Sequence, residues 1–214
     1  MKDTWTQEDI IAALKKVADD TVAQAERLRE LDAAIGDGDL GITVTLGFEA
    51  LKEALAELAN ADVGTILMRS GMAFNRKAAS TFGALFATMM MRAARVGKGK
   101  EKVGLAEVRE MFAVAVEGVK ERGKADVGDK TLLDALMPAA EAVAAAAEEG
   151  AALPEALARA ADAAEAGAKA TVEMKSRAGR SSWFADRTAG IQDPGATAVA
   201  IMLRSVAEYA RSSG

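Results

Sequence analysis

Leu31-Asp32-Ala33-Ala34-Ile35-Gly36-Asp37-Gly38-Asp39-Leu40-Gly41 is the stretch at which helical periodicity stops and then starts again. Before it, Ile10, Leu14, Val17, Val22 and Leu28 recur at helical spacing and predict an amphipathic helix over residues 6–30. After it, the same periodicity predicts helices over 40–60, 62–75, 79–96, 104–122, 130–149, 153–175 and 194–212. The chain therefore reads as eight helices, with the acidic stretch as the first loop. Asn60-Ala61-Asp62, Gly97-Lys98-Gly99 and Gly150 to Pro154 are short connections, so consecutive helices are expected to pack antiparallel. Pro138 falls inside the sixth helix and is expected to kink or interrupt it. Only Lys175 to Gln192, rich in Arg, Ser and Gly, is a long connection, and loops of that length are usually functional or mobile.

Composition supports the helical reading. Half of the 214 residues are hydrophobic, yet aromatics make up only 4%, and abundant alanine favours closely packed helices over a β-sandwich. The length suits one domain spanning residues 1–214. A formal charge of −5 argues against a nucleic-acid partner, which needs a basic face. The basic run Arg95 to Lys102 reads as a solvated inter-helix loop. No segment has the order of a signal peptide or the length of a membrane span, so a cytoplasmic location is expected. With no cysteine and no histidine, the chain lacks disulfides, thiolate nucleophiles, Ser-His-Asp triads, histidine zinc sites and any phosphohistidine of its own. Carboxylates must carry any metal chemistry.

The acidic stretch supplies them. Glycines at 36, 38 and 41 let the backbone fold tightly enough to aim Asp37 and Asp39 at one point, and Asp32, at the end of the preceding helix, is placed to close the same site. Three carboxylates pressed together repel unless a cation joins them. A plainer reading has Asp39 as a helix N-cap and Asp37 as a turn residue. A calcium EF-hand is excluded. Counting from Asp37, Ile42 stands where that loop needs glycine and Phe48 where it needs a bidentate Glu. Magnesium, which shares its shell with phosphates, is the better metal.

Other polar segments are compatible with phosphate. Ser80-Thr81-Phe82-Gly83 opens a helix whose free N–H groups favour anions, although a Ser there is also an ordinary cap. Arg122 to Thr131 joins a helix stop to a new start, with Asp129 placed to cap the helix entered at Thr131. Its surplus basic groups read either as phosphate ligands or as solvated charge. Asp193-Pro194 is a common helix opening, and Arg180 in the long loop is free to reach an anion. Neither a Walker-type Gly-x-x-x-x-Gly-Lys-[Ser/Thr] nor a strand followed by Gly-x-Gly-x-x-Gly occurs, so any nucleotide site must be built on helices.

Taken together, Asp32-x4-Asp37-Gly-Asp39, Gly123-Lys-Ala-x-x-Gly-Asp-Lys-Thr-x-Leu-Asp134 and Gly179-Arg180 to Gln192-Asp193-Pro194-Gly195-Ala196 resemble the nucleotide-binding L subunits of dihydroxyacetone kinases over nearly the whole chain. The resemblance implies an all-α, eight-helix antiparallel up-and-down barrel with ADP or ATP at one end. It implies two Mg2+ ions on Asp32, Asp37 and Asp39, and nucleotide contacts from Leu40, Gly41, Ile42 and Thr43. It implies further contacts from Thr81, Phe82 and Gly83, and from Gly123, Leu132, Arg180, Asp193, Pro194 and Gly195. Asp32, Asp37, Asp39 and Arg180 carry the catalytic assignment. Substrate in this family sits on a separate K subunit, held through a histidine of that subunit, so a chain without histidine is no obstacle. Three residues depart from the family pattern. Leu40 stands where His, Thr or Cys often follows, Ile191 where His often precedes Gln-Asp-Pro-Gly, and Phe82 where a small or hydroxyl residue is frequent.

Two functions follow as expectations. One is a kinase subunit that presents magnesium-bound nucleotide to dihydroxyacetone or a related ketose or polyol on the K subunit. Its phosphoryl donor is either exchanging ATP or a resident ADP recharged by a phosphotransferase-system phosphohistidine protein. The other is a nucleotide-locked regulatory module that docks on a transcription factor or other partner without turnover. Neither reading requires nucleic acid or a membrane, and both leave room for a homodimer.

Overall fold

The computed structural model describes residues 2–213, apart from the side chains of Arg180, Ser181, Trp183 and Phe184. Among the described residues are nine α-helices: α1 (Gln7–Ala23), α2 (Ala25–Ile35), α3 (Leu40–Leu55), α4 (Val63–Lys77), α5 (Thr81–Gly97), α6 (Leu105–Gly123), α7 (Leu133–Glu148), α8 (Leu153–Ala170) and α9 (Pro194–Ser212). Each of α3 to α8 packs on the helix that follows it, and α9 packs on both α8 and α1, so the helices close into a ring. The eight-membered barrel expected from the sequence is present, with its first member broken in two.

The break is at Gln24, whose backbone (φ −101°, ψ 9°) leaves helical geometry and whose N–H donates to the Thr21 carbonyl at 3.1 Å. It turns α2 against α3 and α9. Periodicity runs straight through the break because Leu28, fully buried, continues the apolar series on the new axis. Two three-residue strands also escape a periodicity reading. β1 (Thr4–Thr6) and β2 (Lys102–Gly104) pair antiparallel with Trp5 opposite Val103, and both of those side chains are buried. They tie the N-terminus to the α5–α6 connection.

Alanine and leucine fill most of the core, and one aromatic cluster sits among α3, α4 and α5. Phe48 meets Phe74 edge-on at 5.0 Å and Phe86 at 5.6 Å between centroids. Burying such a side chain contributes roughly 1.5–3 kcal/mol. Gly47 lets α3 approach, since a Cβ there would stand 2.5 Å from the Phe74 ring. Pro138 does not interrupt α7, which runs unbroken from Leu133 to Glu148. The carbonyl left without a helical donor by Pro138 is that of Asp134, and Gly167 of α8 packs directly against it where any side chain would collide.

Antiparallel winding has a consequence for chemistry. It brings the N-termini of α3, α5, α7 and α9 to one end of the barrel, beside the C-termini of α2, α4 and α6. Among the described residues no helix is long and apolar enough to cross a membrane.

Candidate functional site

At that end lies a cavity of about 200 Å³ whose walls come from the starts of α3, α5, α7 and α9 and the ends of α2 and α6. Asp32, Gly36, Asp37 and Asp39 form one side, Ser80, Thr81 and Phe82 a second, Gly123 and the stretch Lys130 to Leu133 a third, and Asp193 to Gly195 a fourth. Four helix N-termini each present the equivalent of about half a positive charge and unsatisfied N–H groups, the arrangement that favours phosphate.

The three carboxylates do converge. Asp32, Asp37 and Asp39 each offer an oxygen, and these oxygens all lie within 4.8 Å of one another. Local structure explains how. Asp32 is in the last turn of α2, and its Oδ2 accepts the N–H of Leu40 at 3.0 Å, drawing the start of α3 to it. A Cβ at Gly36 would stand 2.7 Å from Asp32 Oδ1, so only glycine lets the chain pass so near that carboxylate. Gly38 turns the chain back with φ +74°, and a Cβ at Gly41 would stand 2.5 Å from the Ala25 carbonyl, so α3 seats directly on α2. Asp39 occupies the N-cap position of α3, yet its side chain makes no capping hydrogen bond. Burial, and then the charge of Asp32, push the Asp39 carboxyl above the usual carboxylate range. The donor set consists of hard oxygens only and fits magnesium.

Two other walls are held by ordinary caps. Ser80 Oγ accepts the Gly83 N–H at 3.0 Å, and a side chain at Gly83 would collide with the Ala78 carbonyl. Asp193 caps α9 by accepting the Ala196 N–H at 2.7 Å, with Pro194 in the first turn. Burial raises the Asp193 carboxyl to about 7, against the stabilising Ala196 N–H and with further push from the Asp134 charge.

The DAK2 domain profile matches residues 34–208, most of the chain. The chain belongs to the DAK2 domain family. It is 36% identical over 202 residues to the ADP-binding subunit DhaL of the PEP-dependent dihydroxyacetone kinase of Escherichia coli (strain K12), covering 94% of this chain and 96% of that one. It is 33% identical over 205 residues to the L-erythrulose kinase of Pectobacterium atrosepticum, covering 95% of this chain but 35% of that protein. Among solved structures it superposes on the dihydroxyacetone kinase of C. freundii in complex with AMP-PNP and Mg2+ with a TM-score of 0.73 and 25% identity, over 97% of this chain and 35% of that one.

Within this DAK2 fold, the sequence-derived residues separate into two groups. Asp32, Asp37, Asp39, Leu40, Thr81, Phe82, Gly123, Leu132, Asp193, Pro194 and Gly195 line the cavity. Gly41, Ile42, Thr43 and Gly83 are not among its lining residues. Thr43 is buried, Ile42 is 60% exposed on the outside of α3, and Gly41 and Gly83 lie against backbone. The side chain of Arg180 lies outside the described residues, while its neighbours Ala178 and Gly179 reach the cavity. The departures from the family pattern also have places. Leu40 is buried, and Phe82 joins the aromatic cluster at 6.4 Å from Phe74.

Two buried charges escaped the sequence reading. Asp134, not Asp129, organises the turn before α7, accepting the N–H of Gly128 at 2.6 Å and of Thr131 at 2.7 Å. Asp129 instead accepts the N–H of Asp126 at 2.8 Å. Lys130, which read as either a phosphate ligand or solvated charge, is 2% exposed. Its Nζ donates to the carbonyls of Met174 at 3.0 Å, Ile191 at 2.6 Å and Thr188. The only advance signal was a lysine directly after a Gly-Asp turn. Finally, Lys175 to Gln192 is not structureless, since Arg180–Arg187 forms a short 3-10 helix that touches α2.

Proposed function

We propose that this chain is the nucleotide-carrying subunit of a kinase that acts on dihydroxyacetone or a related ketose or polyol. The observation that carries the reading is the meeting, at one cavity, of three carboxylates within 4.8 Å and the N-termini of four helices. Magnesium bound there supplies cationic charge to offset the negative charge on phosphate oxygens during in-line transfer. Asp32, Asp37 and Asp39 are the residues that would hold it, as the pair of ions that the family resemblance implies. The starts of α3, α5, α7 and α9 orient the phosphates through backbone N–H groups, and Leu40, Phe82, Leu132 and Leu133 supply an apolar lining beside them. Arg180 enters from its place in the loop sequence as the cation that steadies phosphate charge. The whole chain is read as one nucleotide-binding domain.

The acceptor is read as lying on a second subunit, as the family resemblance implies, held there by a histidine of a kind that this chain lacks. The retained-ADP mode is favoured over exchanging ATP by likeness to subunits named as PEP-dependent and ADP-binding. Calorimetry with ADP tests the reading. Binding is expected in magnesium and is expected to disappear in EDTA and in Asp37→Asn, while phosphate transfer to dihydroxyacetone requires an added K subunit. ADP binding that persists unchanged in EDTA rejects the metal-bridged site.

A further inference from the structure

We propose that Lys130 is a positioning residue of the nucleotide site, whose ammonium holds the 174–191 segment across the cavity and so sets how slowly a bound nucleoside diphosphate leaves. The proposal rests on the nucleotide-binding reading given above. An ammonium has three donors. Those of Lys130 are all accounted for by the carbonyls of Met174, Thr188 and Ile191, so none remains for a phosphate. These carbonyls belong to both arms of one segment. Between the arms, Ala178 and Gly179 line the cavity, and the 3-10 helix Arg180–Arg187 touches α2, the helix that carries Asp32. The segment thus spans the site from Lys130 on one wall to the carboxylate wall opposite.

The protein keeps Lys130 in an unfavourable setting. Its backbone has φ +60°, a left-handed conformation rare for lysine, and the turn is locked by the two N–H groups that Asp134 accepts. Burial lowers its pKa, with the Asp193 carboxylate acting in the opposite sense. Among the described residues the other links across the segment are weaker: Gly190 N–H to Val172, Ser176 N–H to the Thr188 hydroxyl, and an ion pair of Lys175 with Asp186 at 2.7 Å that is exposed and so screened by solvent. Removing the ammonium leaves three carbonyls without a shared donor and loosens the segment where it crosses the cavity.

The experiment uses Lys130→Met in the full chain, with hydrogen exchange of the nucleotide-free protein and stopped-flow dissociation of fluorescent mant-ADP in magnesium. Exchange in 176–190 is expected to quicken about 10-fold or more while α3 to α5 are unchanged, and mant-ADP is expected to leave about 10-fold faster or more. Exchange and dissociation both within about twofold of the parent overturn the proposal. Faster exchange spread evenly over all helices, with mant-ADP release from the folded protein unchanged, shows a merely structural role and also overturns it. Should Lys130→Met not fold, Lys130→Gly accepts the left-handed backbone without strain and still deletes the ammonium, and is read by the same criteria. Absence of mant-ADP binding by the unaltered protein rejects the nucleotide reading, and the exchange result then still decides whether Lys130 anchors the segment.

Discussion

The N–H of Leu40 donates to Oδ2 of Asp32 at 3.0 Å, so the carboxylate proposed to hold metal also fastens the first turn of α3 to the last turn of α2. The two roles are separable. Asp32→Asn keeps an acceptor oxygen and loses the charge. It is expected to change stability by less than about 1 kcal/mol. Its magnesium-dependent ADP affinity is expected to fall at least about 100-fold, since even groups that merely orient a ligand cost 10-fold to 100-fold. Asp32→Ala loses both roles. Thermal melts beside calorimetry on the two variants test the separation.

Gly83 and Gly123 face the same end of the barrel but differ in tolerance. A side chain at Gly83 collides with the Ala78 carbonyl, whereas a Cβ at Gly123 meets only Leu85 Cδ2 at an ordinary 3.5 Å. Gly83→Ala is expected to cost about 3 kcal/mol through a displaced α5 start. Gly123→Ala, at the end of α6, is expected to leave stability within about 1 kcal/mol while narrowing the cavity. Denaturant unfolding reads the first effect and ADP titration the second.

Asp193 should make the nucleotide-free protein sensitive to pH near neutrality. Its carboxyl is raised by burial from 3.8 to about 7, so between those values the folded chain holds a proton that the unfolded chain has released. Stability from this group is therefore full at the acid end of that window and falls as pH rises towards 7. Asp193→Asn keeps a good N-cap and removes the titration. Melting temperatures across the window should show a flatter profile in the variant, and an unchanged slope would count against the assignment.

Asp9 works in the opposite direction at lower pH. Burial disfavours its charge, but hydrogen bonds from Lys2, the Thr6 N–H and Tyr209 together outweigh that and lower its carboxyl below 3.8. The unfolded chain then binds more protons than the folded one in that range, so stability is present above 3.8 and is lost as pH falls through the lowered value. Because Tyr209 lies in α9 and Thr6 caps α1, this loss weakens the seam that closes the ring. Asp9→Asn is expected to melt lower at neutral pH and to lose less on acidification, measured by circular dichroism.

Much of this protein was legible in its residues. Helical periodicity, short Gly, Asp and Pro connections and the spacing of Asp32, Asp37 and Asp39 are local features, and local backbone preferences suffice to place most of the helices and to bring those carboxylates onto one turn. The motifs also carried the family. What periodicity could not register was a change of direction at Gln24, because the apolar series continues through Leu28, nor a pair of three-residue strands held by contacts about 100 residues apart.

Tertiary structure alone decided which side chains share the cavity. Gly41 and Gly83 are glycines because distant or neighbouring backbone leaves no room for a side chain, and Ile42, one residue further on, faces outward by the geometry of a helix. Lys130 shows the limit most clearly. Its charge suggested solvent or phosphate, but its fate was fixed by three carbonyls that lie 44 to 61 residues away in sequence, and no local rule brings those to it. The sequence by itself determined the helices, the acidic turn and the chemistry available. The closing of the ring determined which of those groups meet, because burial and long-range packing set the surroundings of each charge.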